Sequence, residues 1–122
     1  TYSGHPLACA AGLATLEVYR EEDLFARAAE LAPYFQEAVH SLADCKNVID
    51  VRNLGLMGAI ELESIGGKPT VRAMEAFQKA FERGLLVRTT GDTIALSPPL
   101  IVERKHIDFI AETVRDVIET VH

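Results

Sequence analysis

The sequence predicts an α+β fold: a small, mostly antiparallel sheet covered by helices. Two observations predict it. Apolar residues recur in steps of three and four at Leu24, Ala28, Leu31, Phe35, Ala38 and Leu42, and again at Ile107, Ile110, Val114, Val117 and Val121. That spacing belongs to helices with one buried side. Between these stretches lie short apolar runs that pair into two hairpins, over 48–62 and 85–96. The element order is α-α-β-β-α-β-β-α, with helices on one face of the sheet and solvent or another domain on the other.

Taken in order, Thr1 to Pro6 is a polar loop. Ser3 or Gly4 caps a helix with Pro6 in its first turn, where the missing N–H costs nothing. This helix runs through Leu7 to Tyr19, and its small residues permit close approach to a neighbour; Arg20-Glu21-Glu22-Asp23 breaks it. Pro33 lies inside the second helical pattern and predicts a kink or break near Ala29 to Ala32. Asp44 to Asn47 is a turn. Val48 to Asn53 alternates like a strand, with Val48 or Ile49 marking its buried side. After Leu54-Gly55, Leu56 to Leu62 is a more buried strand in which Gly58 marks close packing or a bulge. Thr70 caps a third helix whose Met74, Phe77, Ala80 and Phe81 face inward and which Gly84 ends. Leu85-Leu86-Val87 reads as a strand, Thr89-Thr90-Gly91-Asp92 as a turn and Thr93 to Leu96 as a strand; Pro98-Pro99 forces an extended exit.

Composition narrows the function classes. The chain has 122 residues, enough for one domain, and 48% of them are hydrophobic, enough for a real core. A net charge of -6 argues against a nucleic-acid footprint. The longest apolar run falls far short of the roughly 18 residues a membrane span needs, and nothing resembles a signal peptide. Cys9 and Cys45 lie in helical-looking stretches with no CxxC or Cys/His cluster. Both read as buried reduced thiols, which points to the cytoplasm. His5, His40, His106 and His122 have no second ligand type at metal spacing, so no metal site is expected. The chain opens mid-motif at Thr1, with no Met, and reads as a piece of a longer one.

Two features point to binding chemistry. Hydroxyls and free N–H groups at Thr1-Tyr2-Ser3-Gly4-His5-Pro6, ahead of a helix, suit an anion such as phosphate; the plainer reading is a helix cap. Arg88, where the third strand runs out beside Thr89, Thr90 and Gly91, suits a carboxylate held by two parallel hydrogen bonds; the plainer reading is a solvated arginine in a turn.

Together these stretches are more specific than their parts. Thr1-Tyr2-Ser3-Gly4-His5-Pro6-Leu7-Ala8-Cys9-Ala10-Ala11 resembles a segment of class III pyridoxal-phosphate aminotransferases. Gly84-Leu85-Leu86-Val87-Arg88, Gly91-Asp92-Thr93-Ile94 and Ser97-Pro98-Pro99-Leu100-Ile101 resemble that family's C-terminal region, and Leu54 to Leu62 fits the strand between the two motifs. The nearest branch is the ω-amino acid–pyruvate (β-alanine–pyruvate) one. The resemblance implies that residues 1–122 are the C-terminal small domain of a fold-type I enzyme that exchanges an amino group between an ω-amino acid or amine and pyruvate. It implies that Thr1 binds the pyridoxal 5'-phosphate phosphate across a homodimer interface. It implies that Arg88 is the mobile residue that binds the substrate carboxylate.

The same resemblance leaves this chain without the chemistry. Lys46, Lys68, Lys79 and Lys105 lie in a turn, a loop or on helix surfaces, and none is in the family's lysine motif. The Schiff-base lysine, the aspartate on the pyridine nitrogen and the ring-stacking aromatic lie upstream in the family. No residue here is expected to be catalytic, and the isolated chain is expected to be inactive. The other readings are a stand-alone amino-acid-binding regulatory domain, in which Arg88 still holds a carboxylate, and a structural or dimerisation piece.

Overall fold

The elements follow one another in the expected order: α1 (Pro6–Glu21), α2 (Leu24–His40), β1 (Val48–Leu54), β2 (Met57–Leu62), α3 (Val71–Glu82), β3 (Arg88–Thr90), β4 (Thr93–Leu96) and α4 (Arg104–Ile118). The computed structural model describes residues 1–122. All four strands form one antiparallel sheet in the order β1-β2-β4-β3. The second hairpin docks through β4, leaving the short strand β3 on the edge.

Helices α2, α3 and α4 cover one face. Phe35, Leu42, Ile60, Leu62, Ile94, Ile107 and Ile118 are fully buried between them and the sheet. Gly58 is the close approach expected of it. A Cβ there would lie 3.2 Å from two Phe35 ring carbons and 3.3 Å from a Val39 methyl, so β2 passes beneath α2 only without a side chain. Arg27 ties α2 to the segment after Pro98-Pro99, donating to the carbonyls of Leu100 (2.6 Å) and Val102 (2.7 Å). The α4 periodicity is seen in full, although Val121 is buried just beyond the helix.

Several expectations need correction. Pro33 does not break α2, which runs unbroken from Leu24 to His40. Ala29, whose carbonyl loses its partner, and Pro33 are both exposed, so water can take the freed acceptor. The cap of α1 is His5 rather than Ser3 or Gly4, with Pro6 at the first helical position and no side-chain cap bond. The small residues of α1 meet no close neighbour: none of its residues is buried, and Leu7, Leu13 and Leu16 are exposed. In α3 the buried positions are Arg72, Ala73, Ala76 and Ala80, while Met74 and Phe81 are exposed. The helix is turned so that Arg72 reaches the carbonyls of Glu63 and His122. Ile49 lies outward and Val48 half inward.

The cysteines divide. Cys45 is buried, in the turn after α2, where Arg115 contacts its sulfur at 3.4 Å; Cys9 is exposed on α1. Burial pushes the Cys45 thiol up, against the opposing pull of Arg115. In the folded 122-residue chain at neutral pH, a thiol reagent should therefore label one cysteine rapidly, Cys9, and the second only after denaturant is added. Peptide mass mapping of the labelled sites checks this, and two fast thiols would contradict the packing around Cys45. No helix is long and apolar enough to cross a membrane.

Candidate functional site

The candidate residue Arg88 lies on the uncovered face of the sheet. Val87 is buried, and the Thr89 hydroxyl meets Met74 Sδ of α3 at 3.6 Å, so the residue between them, Arg88, points to the open side. The register sets its neighbours. Arg52 pairs with Ala59, Ala59 with Ala95, and Ala95 with Arg88, making one row across all four strands. Three inter-strand steps put the two arginine Cα atoms about 14 Å apart. Only the small side chains of Ala59 and Ala95 stand between them in that row. The adjoining row is Asp50, Glu61, Thr93 and Thr90.

The two arginines differ in what they can still bind. Arg52 donates to Asp50 at 2.5 Å and to Glu61 at 2.8 Å. The Asp50 bond, then the Glu61 bond, raises its pKa further and keeps its charge engaged. Arg88 is exposed and takes part in none of the ion pairs of the chain. An unpartnered guanidinium keeps its planar fork available for a carboxylate. A cleft of about 660 Å³ adjoins it, walled by Phe77, Leu86, Pro98 and Ile110 and edged by Arg88 and Thr89.

Arg88 is not where the strand runs out. Leu85-Leu86-Val87 lie outside the ladder, and Arg88 opens β3, which includes Thr89 and Thr90. Only Gly91 and Asp92 form the loop closed by the Thr90–Thr93 pair. Gly91 has φ +59, the glycine-first pattern of a two-residue hairpin turn. Asp92 is bonded to two other segments. Its Oδ1 accepts the Thr70 backbone N–H at 2.7 Å, and its Oδ2 accepts the Ser64 hydroxyl. The sequence pattern around Asp92 marks only a turn, and nothing in it announces these partners.

Thr1 lies apart, exposed, ahead of α1. It lines neither the Arg88 cleft nor any hydrogen bond to that hairpin. Pro6 has no N–H, the His5 N–H bonds to Tyr2 and the Cys9 N–H returns to His5, so the Leu7 and Ala8 N–H groups stand at the open start of the helix. Open N–H groups at a helix start suit an anion such as phosphate. That is the only part of a pyridoxal phosphate this chain fits. Lys79 is paired with Glu75 and Lys105 with Glu103, and none of the four lysines lines the Arg88 cleft.

Comparison with known proteins gives consistent matches. Residues 1–118 match the family model described as "Aminotransferase class-III". The chain is 67% identical over 118 residues to an omega-aminotransferase of Caulobacter vibrioides, covering 97% of this chain and 27% of that protein. It is 43% identical over 118 residues to a beta-alanine–pyruvate aminotransferase of Pseudomonas aeruginosa, covering 97% and 26%. A crystal structure of an omega transaminase 6-fold mutant from Pseudomonas jessenii superposes with a TM-score of 0.87 at 28% identity, over 95% of this chain and 27% of that one. The chain thus spans about a quarter of the length of the curated relatives it matches.

Proposed function

We propose a function from one premise: the chain belongs to the class-III aminotransferase family. Residues 1–122 are the small C-terminal domain of a transaminase that moves an amino group from an ω-amino acid or amine to pyruvate. A large, lysine-bearing domain precedes them. The observation that carries this reading is the unpartnered Arg88 on the open sheet face, beside the small residue Ala95 that leaves room for a ligand. The β-alanine–pyruvate relative supports the substrate class.

In this reading pyridoxal 5'-phosphate, when bound, supplies the electron sink for the exchange. The Thr1 hydroxyl and the N–H groups at the start of α1 hold its phosphate, reaching the site of the other subunit of a homodimer. Arg88 donates two parallel N–H bonds to the carboxylate of pyruvate or of the amino-acid donor and fixes its orientation. Because it is exposed and free of partners, Arg88 can swing aside for an amine donor that carries no carboxylate. Helix α1, with no buried residue and with leucines in water, supports a domain that packs against more protein rather than one that stands alone. The buried reduced thiol of Cys45 is in keeping with the cytoplasm.

The test is a comparison of two proteins. The 122-residue chain with added pyridoxal phosphate should show no new cofactor absorbance band and no turnover of β-alanine with pyruvate. The same chain joined to its large domain should show both. Turnover by the isolated chain would overturn the division of labour proposed here.

A further inference from the structure

We infer that Asp92 is a positioning residue for Arg88, whose carboxylate pins the hairpin carrying that guanidinium to the loop and helix beside it. The inference rests on the carboxylate-binding role proposed for Arg88. Strand β3 is three residues long, with β4 as its only neighbour in the sheet. So short an edge strand has few ladder bonds, and its placement depends on what holds its tip. Asp92 holds it at three points. Its Oδ1 takes the Thr70 N–H at 2.7 Å, its Oδ2 takes the Ser64 hydroxyl, and its backbone carbonyl takes the Leu62 N–H at 2.9 Å.

The chemistry of the knot calls for a carboxylate. Both side-chain partners are donors, and a carboxylate offers two acceptor oxygens and no donor to misplace. Its charge shortens and strengthens each bond. It sits at the start of α3, where the helix dipole favours an anion. Thr70 is held at φ 72, in the left-handed region that non-glycine residues rarely adopt. There its N–H meets Asp92 while its carbonyl accepts the Met74 N–H at 2.9 Å. Met74 Sδ in turn receives the hydroxyl of Thr89, next to Arg88. Contacts thus run from Asp92 through Thr70 and Met74 to Thr89, back on the hairpin that carries Arg88. Ser64 and Thr70 are exposed, so the bonds do more to set where the hairpin lies than to hold the core together.

The test is steady-state kinetics on the full-length holoenzyme with two acceptors, pyruvate and a simple aliphatic aldehyde. Asp92→Ala should raise KM for pyruvate about tenfold and leave kcat/KM for the aldehyde within about twofold. Asp92→Asn should restore only part of the loss, because its carbonyl oxygen can still take the Thr70 N–H while the second acceptor and the charge are gone. In an Arg88→Ala background, Asp92→Ala should add nothing. Ser64→Ala, which removes one of the three ties, should give a smaller rise of the same kind, and it serves if Asp92→Ala does not fold. Equal losses on both acceptors, or a full additional loss without Arg88, would overturn the inference. If Arg88→Ala itself fails to discriminate the acceptors, the carboxylate role falls; if Arg88→Ala discriminates and Asp92→Ala does not, only the positioning role falls.

Discussion

Arg88→Ala in the full-length holoenzyme should lower kcat/KM for pyruvate by about a hundredfold, while an aldehyde acceptor should lose less than about threefold. The size follows from two charge-assisted hydrogen bonds lost together, each worth about 1.5–3 kcal/mol, partly offset by water entering the space. The selectivity follows because the aldehyde has no carboxylate for the guanidinium to hold. The Arg88 side chain takes part in no ion pair of the chain, so its removal leaves no orphaned charge, and thermal stability should stay unchanged. Arg88→Lys keeps the charge but loses the planar fork and should recover only part of the pyruvate activity. Steady-state kinetics with both acceptors, beside a melting curve for each variant, decide the matter. Equal losses on both would contradict the assignment.

Phe35→Ala should destabilise the 122-residue chain by about 3–5 kcal/mol. Phe35 is 0% exposed, and its ring lies against Gly58. A glycine has no side chain with which to refill the space, so the cavity stays open and the loss falls at the upper end of the range. A small domain is stable by about 5–15 kcal/mol, so this one residue carries a large share. In a denaturant titration the midpoint should fall with the slope unchanged. Phe25→Ala is the control: Phe25 is 65% exposed and packs edge-on against Tyr19 at 5.1 Å, and its loss should cost little. A small effect for Phe35→Ala would contradict the packing of α2 on the sheet.

Much of this fold was legible in the sequence where the signal is local. β4 and α4 lie where alternation and three-four spacing put them, and Gly58 marks a real close approach. The failures are non-local. Leu85-Leu86-Val87 has strand composition but no ladder. Extending the β3–β4 register from the Arg88–Ala95 pair would set Leu85 opposite Pro98, which has no N–H to give. Met74 and Phe81 are as apolar as residues that face a core, and only the placement of α3 decides that Ala73, Ala76 and Ala80 do so instead. Cys9 sits in an apolar helix whose burial cannot come from this chain's own residues.

The site divides in the same way. Arg88 and Thr1 stand out by residue type at the ends of elements, and the family resemblance gives each a role. The row of Arg52, Ala59, Ala95 and Arg88 is invisible until the register of four strands is known. Asp92 reads as an ordinary turn residue because its side-chain partners are 22 and 28 residues away.

In the proposed function Arg88 holds the substrate carboxylate, and the cofactor-bearing lysine lies outside residues 1–122. A crystal structure of the full-length holoenzyme with a bound carboxylate substrate analogue tests it most directly. The Arg88 guanidinium should lie within about 3 Å of both carboxylate oxygens, with the cofactor attached to a lysine outside residues 1–122. A carboxylate held by other residues while Arg88 remains in solvent, or a cofactor attached to Lys46, Lys68, Lys79 or Lys105, would contradict it.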